Sequence, residues 1–191
     1  FKREDLQPVF SFKIRGAFNC MSQLSKKQLS KGVIASSAGN HAQGVALSAS
    51  FLKCRAVIVM PLTTPIMKVK AVESHKAEVI LFGETYDECY EKALELSKEK
   101  NLTFIHPFDD PDVIAGQGTI GLEILRQSNT PPDAIYIAVG GGGLIAGVSE
   151  YVKAIWPNTK IIGVEPEDAC AMTLSLRANK PVELESVGLF A

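Results

Sequence analysis

The sequence has few cysteines, no long apolar run and no excess of charge of one sign, and each absence excludes a class of protein. The four cysteines among 191 residues form no CxxC pair, so we predict reduced thiols rather than a zinc knot or redox dithiol. No apolar stretch approaches the roughly 18 residues that a membrane-spanning helix needs. Lys and Arg number 20 against 21 Asp and Glu, which argues against a nucleic-acid surface or a basic membrane patch.

What remains is the composition of an ordinary globular protein, with 46% hydrophobic residues and enough length to bury a core. The charged segment 2–5 that follows Phe1 resembles neither an initiator region nor a signal peptide. The apolar segment 187–191 carries no stop signal. We therefore expect a piece of a longer polypeptide.

Short apolar segments recur about every two dozen residues and predict six strands. They lie at residues 32–36, 55–60, 78–82, 103–105, 134–139 and 160–164. Strands at this spacing need helical crossovers, which segments 40–52, 65–76 and 85–100 can supply. Continuous apolar strands indicate burial on both faces. The predicted fold class is α/β, doubly wound with parallel sheets, and the rhythm breaks at a boundary near residue 110.

A run of four glycines lies between a predicted strand and a helix that reaches about residue 155. The run is Gly140, Gly141, Gly142 and Gly143, followed by Leu144. Glycines at such a junction let main-chain N–H groups turn towards a phosphate at the helix N-terminus. A tight turn with a close helix approach is the alternative.

The same run allows a dinucleotide interpretation, since Gly141, Gly143 and Ala146 match the G-x-G-x-x-G/A pattern. Glu165 follows Ala146 by 19 residues, as a ribose-binding acid would. This pattern usually follows the first strand of its fold, whereas here it follows the fifth. It also leaves the N-terminal half of the chain unexplained.

A second small and polar segment, SSAGNHAQG at 36–44, joins a predicted strand to a predicted helix. The Ser37 hydroxyl, the Asn40 amide and the free N–H groups of the helix would suit a carboxylate. Simple N-capping by Ser37 or Asn40 is the alternative. His41 is equally well explained as a packing histidine.

Lys13 lies between apolar residues in the segment SFKIRGA. A desolvated lysine has its pKa lowered from about 10.4, and its free amine can then form an imine with an aldehyde. Because Lys2, Arg3 and Arg15 crowd the same region, a solvated basic face is the favoured interpretation of Lys13 considered alone.

Taken together, the three motifs resemble the fold-type II pyridoxal phosphate enzymes, and most closely the biosynthetic threonine dehydratases. Supporting segments are KREDLQPVFSFK at 2–13, HPFDDPDVIAGQGT at 106–119 and GVEPEDA at 163–169. The segments GVALSAS and VIVMPLTTP are more similar to plant-type than to bacterial members. The resemblance covers essentially the whole chain.

The resemblance implies a tryptophan synthase β-like fold with two subdomains. Residues 32–110 would form the smaller subdomain, while 1–31 and 111–191 would belong to the larger, cofactor-binding one. The remainder of the larger subdomain, with the partner of the pyridine nitrogen, and a regulatory domain would lie outside this chain.

The resemblance also implies roles for the first motif and the last. Lys13 would be the Schiff-base lysine and the acid/base at the substrate Cα. Phe12 would pack against the cofactor ring. The glycines at 140–143, with Leu144, would cradle the cofactor phosphate.

The middle motif would serve both the cofactor and the substrate. Asn40 would hydrogen-bond the 3-hydroxyl of the pyridoxal ring. Ser37, Gly39 and His41, with Asn40, would receive the substrate carboxylate.

The implied reaction converts L-threonine to 2-oxobutanoate and ammonia, the first step of isoleucine biosynthesis, with L-serine as a second substrate. Related serine racemases carry an acid/base serine where this chain has Ala38, which favours dehydration over racemisation. Relatives with a divalent-cation site have an acid at the position of Glu165 and another six residues later, where this chain has Ala171. No metal site is therefore predicted, and Asp168 is interpreted as a solvated loop acid. A homotetramer and, for a plant source, a plastid location are also implied, with a cytoplasmic location otherwise.

Overall fold

The computed structural model describes residues 1–184, which form two compact units. The first unit is Phe1–Gly116, and the second begins at Gln117. The helices are α1 Lys13–Ser22, α2 Lys26–Lys31, α3 Asn40–Leu52, α4 Ile66–Glu73, α5 Tyr86–Lys100, α6 Pro111–Gln127, α7 Gly143–Ile155 and α8 Ala171–Ala178. The strands are β1 Val33–Ser36, β2 Ala56–Met60, β3 Glu78–Leu81, β4 Thr103–Phe104, β5 Ala134–Ala138 and β6 Lys160–Val164.

The first unit is built on a parallel four-stranded sheet in the order β3-β2-β1-β4. Alternate side chains of a strand point to opposite faces. Val33 and Ile58 accordingly join one buried cluster, with residues of α1, α3 and α4. Ile34 and Val57 join the other, with residues of α5. Helices therefore cover both faces of this sheet, as the apolar strands predict.

Helix α5 shows how local sequence signals and packing agree. Its N-terminus is a capping box, in which the Thr85 hydroxyl accepts the Glu88 N–H and the Glu88 carboxylate accepts the Thr85 N–H at 2.9 Å. Cys89, Ala93 and Leu96 recur at helical spacing and are buried against the sheet. The cap sets where the helix begins, and the apolar stripe sets which face it buries.

The second unit contains a parallel pair, β5 and β6, with α7 between them in the chain and in contact with both. Tyr136 in β5 is 70% exposed and Val164 in β6 is 50% exposed. Within residues 1–184, β1 and β2 are buried on both faces as predicted, whereas β5 and β6 keep exposed side chains. An apolar run does not by itself report how many layers of helix cover a strand.

Helices α2 and α8 are absent from the sequence prediction. Helix α2 has six residues and a capping box between Ser25 and Gln28, a signal that the sequence does contain. No helix within residues 1–184 combines the length and the apolar character needed to cross a membrane.

Candidate active site

Lys13 is the first residue of α1, and its backbone lies against α3. A Cβ placed on Gly44 of α3 would lie 3.1 Å from both the carbonyl carbon and the carbonyl oxygen of Lys13. Glycine at position 44 therefore permits the two helices to approach closely at Lys13.

The Lys13 side chain is largely buried, and its Nζ donates a hydrogen bond to the Pro107 carbonyl oxygen at 2.8 Å. The same nitrogen lies 5.4 Å from the centroid of the Phe12 ring. Burial lowers the pKa of Lys13 below its ordinary value. The solvated basic face is therefore the wrong interpretation of this lysine.

The basic residues around Lys13 are paired with the acids of the KRED segment. Arg15 makes two hydrogen bonds to the Glu4 carboxylate, at 2.6 and 2.8 Å, and the two side chains are only 12% and 13% exposed. Lys2 Nζ lies 3.7 Å from the same carboxylate, whereas Arg3 pairs with Asp5 in solvent. The Glu4 carboxylate thus ties the N-terminal segment to α1, a role that the sequence analysis did not assign.

The segment 36–44 forms the turn from β1 into α3. The N-cap residue is Gly39, no side chain caps the helix, and Asn40 is its first residue with an exposed side chain. Ser37 Oγ accepts the Gly39 N–H at 3.2 Å and shapes the turn. N-capping by Ser37 or Asn40 is therefore the wrong explanation of these polar residues, and within residues 1–184 no side chain caps the first-turn N–H groups of α3.

His41 is buried in the first turn of α3, and its Nε2 lies 2.9 Å from the Ile105 carbonyl oxygen. Burial lowers the pKa of His41 to about 4; the Ile105 carbonyl opposes this shift, and the positive charge of Lys13 adds to it. The imidazole is therefore neutral at pH 7. Because a carbonyl only accepts, the Nε2 atom carries the proton and the Nδ1 atom keeps a lone pair.

The buried His41 predicts a specific loss of stability in acid. Between its ordinary pKa of about 6.5 and its folded value of about 4, the unfolded chain takes up a proton that the folded chain does not. The contribution of His41 to the free energy of unfolding is therefore complete above pH about 6.5. It falls by about 3 kcal/mol as the pH falls to about 4.

The measurement compares the free energy of unfolding of the unmutated protein and of His41→Gln at pH 7 and pH 4. Glutamine keeps a donor near Ile105 but does not titrate. The unmutated protein should lose about 3 kcal/mol more than the variant. Equal losses in the two proteins would show that His41 is not held neutral.

The glycine run joins β5 to α7. Gly142 is the N-cap residue with φ +86°, and no side chain caps the helix. A Cβ on Gly142 would lie 2.7 Å from Met172 Cε, whereas a Cβ on Gly140 would meet nothing within 4 Å. The tight-turn explanation therefore holds at Gly142 but not at Gly140, where open space adjoins the uncapped N–H groups of a 13-residue helix.

Glu165 binds the N-terminus of α8 rather than facing a free site. Its carboxylate accepts the N–H groups of Met172 at 2.9 Å and Thr173 at 2.8 Å, and the Thr173 hydroxyl at 2.7 Å. Burial by itself would raise the pKa of Glu165, but these hydrogen bonds hold it below the ordinary value. The dinucleotide interpretation, which needs this carboxylate for a ribose, is therefore not favoured.

Asp168 lies exposed in the short 3₁₀ segment Glu167–Ala169. In the part of the chain that the structure describes, no group of three or more His, Cys, Asp or Glu side chains could hold a metal ion.

Comparison with known families matches residues 1–190 to the family described as pyridoxal-phosphate dependent enzymes. The chain belongs to that family. "Threonine dehydratase biosynthetic, chloroplastic" of Arabidopsis thaliana is 63% identical over 190 residues, which are 100% of this chain and 32% of the relative. The chain thus spans about a third of the length of that relative.

Solved structures of the pyridoxal-phosphate dependent enzyme family share the fold. The processed form of threonine deaminase isoform 2 from Solanum lycopersicum has a TM-score of 0.96 and 58% identity, over 98% of this chain and 52% of that one. Maize serine racemase has a TM-score of 0.93 and 37% identity, over 97% and 56%. The fold-type II, α/β class with parallel sheets is confirmed.

The residues of this chain fit the cofactor of its family. The first unit offers the buried amine of Lys13, with its lowered pKa, for an aldehyde. In the second unit, the open space at Gly140 and the uncapped N-terminus of α7 suit a phosphate. The structure brings Lys13 and His41 together within the first unit, whereas the glycine run belongs to the second.

The segment 105–109 supports Lys13 and His41, a contribution that the sequence did not predict. The carbonyls of Ile105 and Pro107 accept hydrogen bonds from His41 and Lys13. The direction of a main-chain carbonyl has no sequence signature. The one available indication was the motif HPFDD between a predicted strand and a helix. This motif contributed to the family resemblance, but no role was predicted for any of its residues.

Proposed function

We propose that the intact protein removes water and ammonia from L-threonine to give 2-oxobutanoate, the first step of isoleucine biosynthesis, with L-serine giving pyruvate as a second reaction. The observation that carries this proposal is the buried Lys13 amine, oriented by the Pro107 carbonyl in a chain of the pyridoxal-phosphate dependent family. The biosynthetic threonine dehydratase names of the relatives support the substrate.

Pyridoxal phosphate, when bound, supplies an electron sink for the charge that develops at the substrate Cα. Lys13 is the covalent attachment point for its aldehyde and the base that takes the Cα proton. A lowered pKa suits both tasks, since the amine is then more readily deprotonated near neutral pH. Phe12, whose ring centroid lies 5.4 Å from the amine, would pack against the cofactor ring.

The N-terminus of α3 receives the substrate carboxylate. Its uncapped N–H groups carry partial positive charge, and the turn shaped by Ser37 and Gly39 leaves the Asn40 side chain exposed for the 3-hydroxyl of the ring. His41 contributes its main-chain N–H, because its only ring N–H is donated to the Ile105 carbonyl oxygen.

The N-terminus of α7 holds the phosphate. The main-chain N–H groups of Gly140, Gly141, Gly142, Gly143 and Leu144 are the donors. Left-handed Gly142 turns the chain into the helix, and Gly140 leaves room for the phosphate oxygens.

Ala38 favours elimination over racemisation. Racemisation needs an acid/base group on each face of the substrate Cα, and a methyl group exchanges no proton. Because the chain is also similar to maize serine racemase, the fold alone does not separate the two reactions, and the distinguishing feature is residue 38.

The proposal is tested with the intact protein, pyridoxal phosphate and either L-threonine or L-serine. We expect 2-oxobutanoate and pyruvate, with threonine the better substrate, and D-serine formation far slower than pyruvate formation. Ala38→Ser is the matched variant, in which the D-serine fraction should rise. Racemisation as fast as elimination in the unmutated protein would contradict the proposal.

The remaining expectations concern assembly and location. We propose a homotetramer, with residues 32–110 in the smaller subdomain and residues 1–31 and 111–191 in the larger. For a plant source we propose the plastid, and otherwise the cytoplasm. The chloroplastic names of the Arabidopsis and tomato relatives support the plastid, and sedimentation of the intact protein tests the tetramer.

A further inference from the structure

We propose that His106 is a positioning residue, whose Nδ1 atom shapes the turn that directs the Pro107 carbonyl towards Lys13. This inference rests on the proposed function, because it assigns Lys13 the reactive amine. No role was predicted for this histidine from the sequence.

The first observation is the hydrogen bonding of the His106 ring to the turn that follows it. Nδ1 accepts the Asp109 N–H at 2.7 Å and lies 3.3 Å from the Phe108 nitrogen, which also donates to it. Because both partners are donors, Nδ1 carries no proton and acts as the acceptor around which residues 106–109 turn.

The second observation is the position of His106 between two carbonyls that hold site residues. The preceding carbonyl, of Ile105, accepts His41 Nε2 at 2.9 Å, and the following carbonyl, of Pro107, accepts Lys13 Nζ at 2.8 Å. Pro107 has a fixed φ and no N–H group, so the direction of its carbonyl depends on the neighbouring turn. A change in that turn would move the acceptor of the Lys13 amine.

The third observation is the packing of the imidazole ring. Phe108, Phe104 and Tyr90 surround it edge-to-face, with ring centroids at 4.8, 6.2 and 6.3 Å. These contacts come from β4, from α5 and from the turn itself. They restrict rotation of the ring and so keep Nδ1 directed at the Asp109 and Phe108 amides.

These contacts orient one amine. Displacing a reacting group by about 1 Å can reduce a rate by about 10²-fold, even when the altered residue is remote from the chemistry. His106 touches neither substrate nor cofactor in this account. Its effect passes through the Pro107 carbonyl to the Lys13 nitrogen.

The experiment uses three variants of the intact protein. His106→Asn keeps an acceptor oxygen near the position of Nδ1, whereas His106→Leu removes it, and His106→Gln moves the amide one carbon farther along the side chain. His75, which lies outside the 105–109 segment, gives the matched control His75→Leu. The readouts are kcat and KM with L-threonine, and the rate at which pyridoxal phosphate with borohydride labels Lys13 in cofactor-free protein.

His106→Leu should lower kcat by about 10- to 100-fold with KM within about threefold, and should slow Lys13 labelling by about tenfold. His106→Gln should show the same losses, while His106→Asn and His75→Leu should stay within about threefold of the unmutated protein. A purely structural histidine would lower the melting temperature without changing the labelling of folded molecules. The labelling rate therefore distinguishes positioning from stability.

Two results overturn the proposal: labelling and kcat unchanged in His106→Leu, or losses in His106→Asn as large as in His106→Leu. If His106→Leu does not fold, equal labelling rates in the Gln and Asn variants overturn it instead. If the unmutated protein labels Lys13 but does not convert threonine, the proposed function fails while the labelling contrast still decides the role of His106.

Discussion

Lys13→Ala should abolish threonine turnover, with a loss of about 10⁴-fold, while leaving the protein folded. A positioned acid/base group alone contributes about 10² to 10⁴ to a rate, and Lys13 is also the attachment point for the cofactor. The substitution leaves the Pro107 carbonyl without the Lys13 donor, at a cost of about 1 kcal/mol, and removes the need to bury an amine. The change in the free energy of unfolding should therefore be small.

The measurement pairs steady-state kinetics with urea unfolding of the same intact protein. Lys70→Ala, at an exposed position of α4, is the matched control and should leave both quantities unchanged. Turnover by Lys13→Ala within about tenfold of the unmutated rate would remove Lys13 from the chemistry. Loss of turnover with loss of folding would instead return Lys13 to a structural role.

Gly142→Ala should weaken binding of pyridoxal phosphate by about 5- to 30-fold. Alanine at φ +86° carries a strain of about 1–2 kcal/mol, and its Cβ would lie 2.7 Å from Met172 Cε, which must move. The turn that presents the N–H groups of α7 would change with it. If the free variant relaxes this turn, cofactor binding must restore the strain, and about 1–2 kcal/mol corresponds to about 5- to 30-fold in affinity at about 1.4 kcal/mol per factor of ten.

Gly140→Ala separates cofactor binding from strain. Its Cβ meets no atom within 4 Å, so the cofactor-free protein should be as stable as the unmutated one. If the open space beside Gly140 receives the phosphate, this methyl group should still weaken binding. A spectroscopic titration with pyridoxal phosphate, beside unfolding of the cofactor-free variants, measures both effects. Unchanged affinity in both glycine variants would remove the glycine run from the phosphate site.

The strands and most helices of this fold were predictable because their signals are local. Strand β6 and helix α3 have the predicted bounds, and each of the other five strands overlaps its predicted segment to within a residue or two. Helix α8 was not predictable in this way. Its first N–H groups bind the Glu165 carboxylate, seven and eight residues earlier in the chain, so no cap adjoins it in the sequence.

In the candidate site, too, the features with local sequence signals were predictable and those that depend on distant contacts were not. The lysine, the polar turn and the glycine run were recognisable as short motifs. The environment of Lys13 was not, because its partner Pro107 lies 94 residues away and the partner of His41 lies 64 residues away. Whether a lysine flanked by basic residues is solvated or buried depends on such distant contacts. The basic neighbours of Lys13 led to the wrong prediction of a solvated face, because the sequence does not reveal that the Glu4 carboxylate pairs with Arg15.

The most direct test of the central claim is to treat the intact protein with pyridoxal phosphate, reduce it with borohydride and map the labelled peptides. We predict that Lys13 is labelled in preference to the other lysines of the chain. Bound cofactor should also protect the Lys13 amine from other amine-specific reagents. Lys13→Ala should then show no preferred site. Selective labelling of a different lysine, or none in a folded protein, would contradict the assignment of Lys13 as the residue that carries the cofactor.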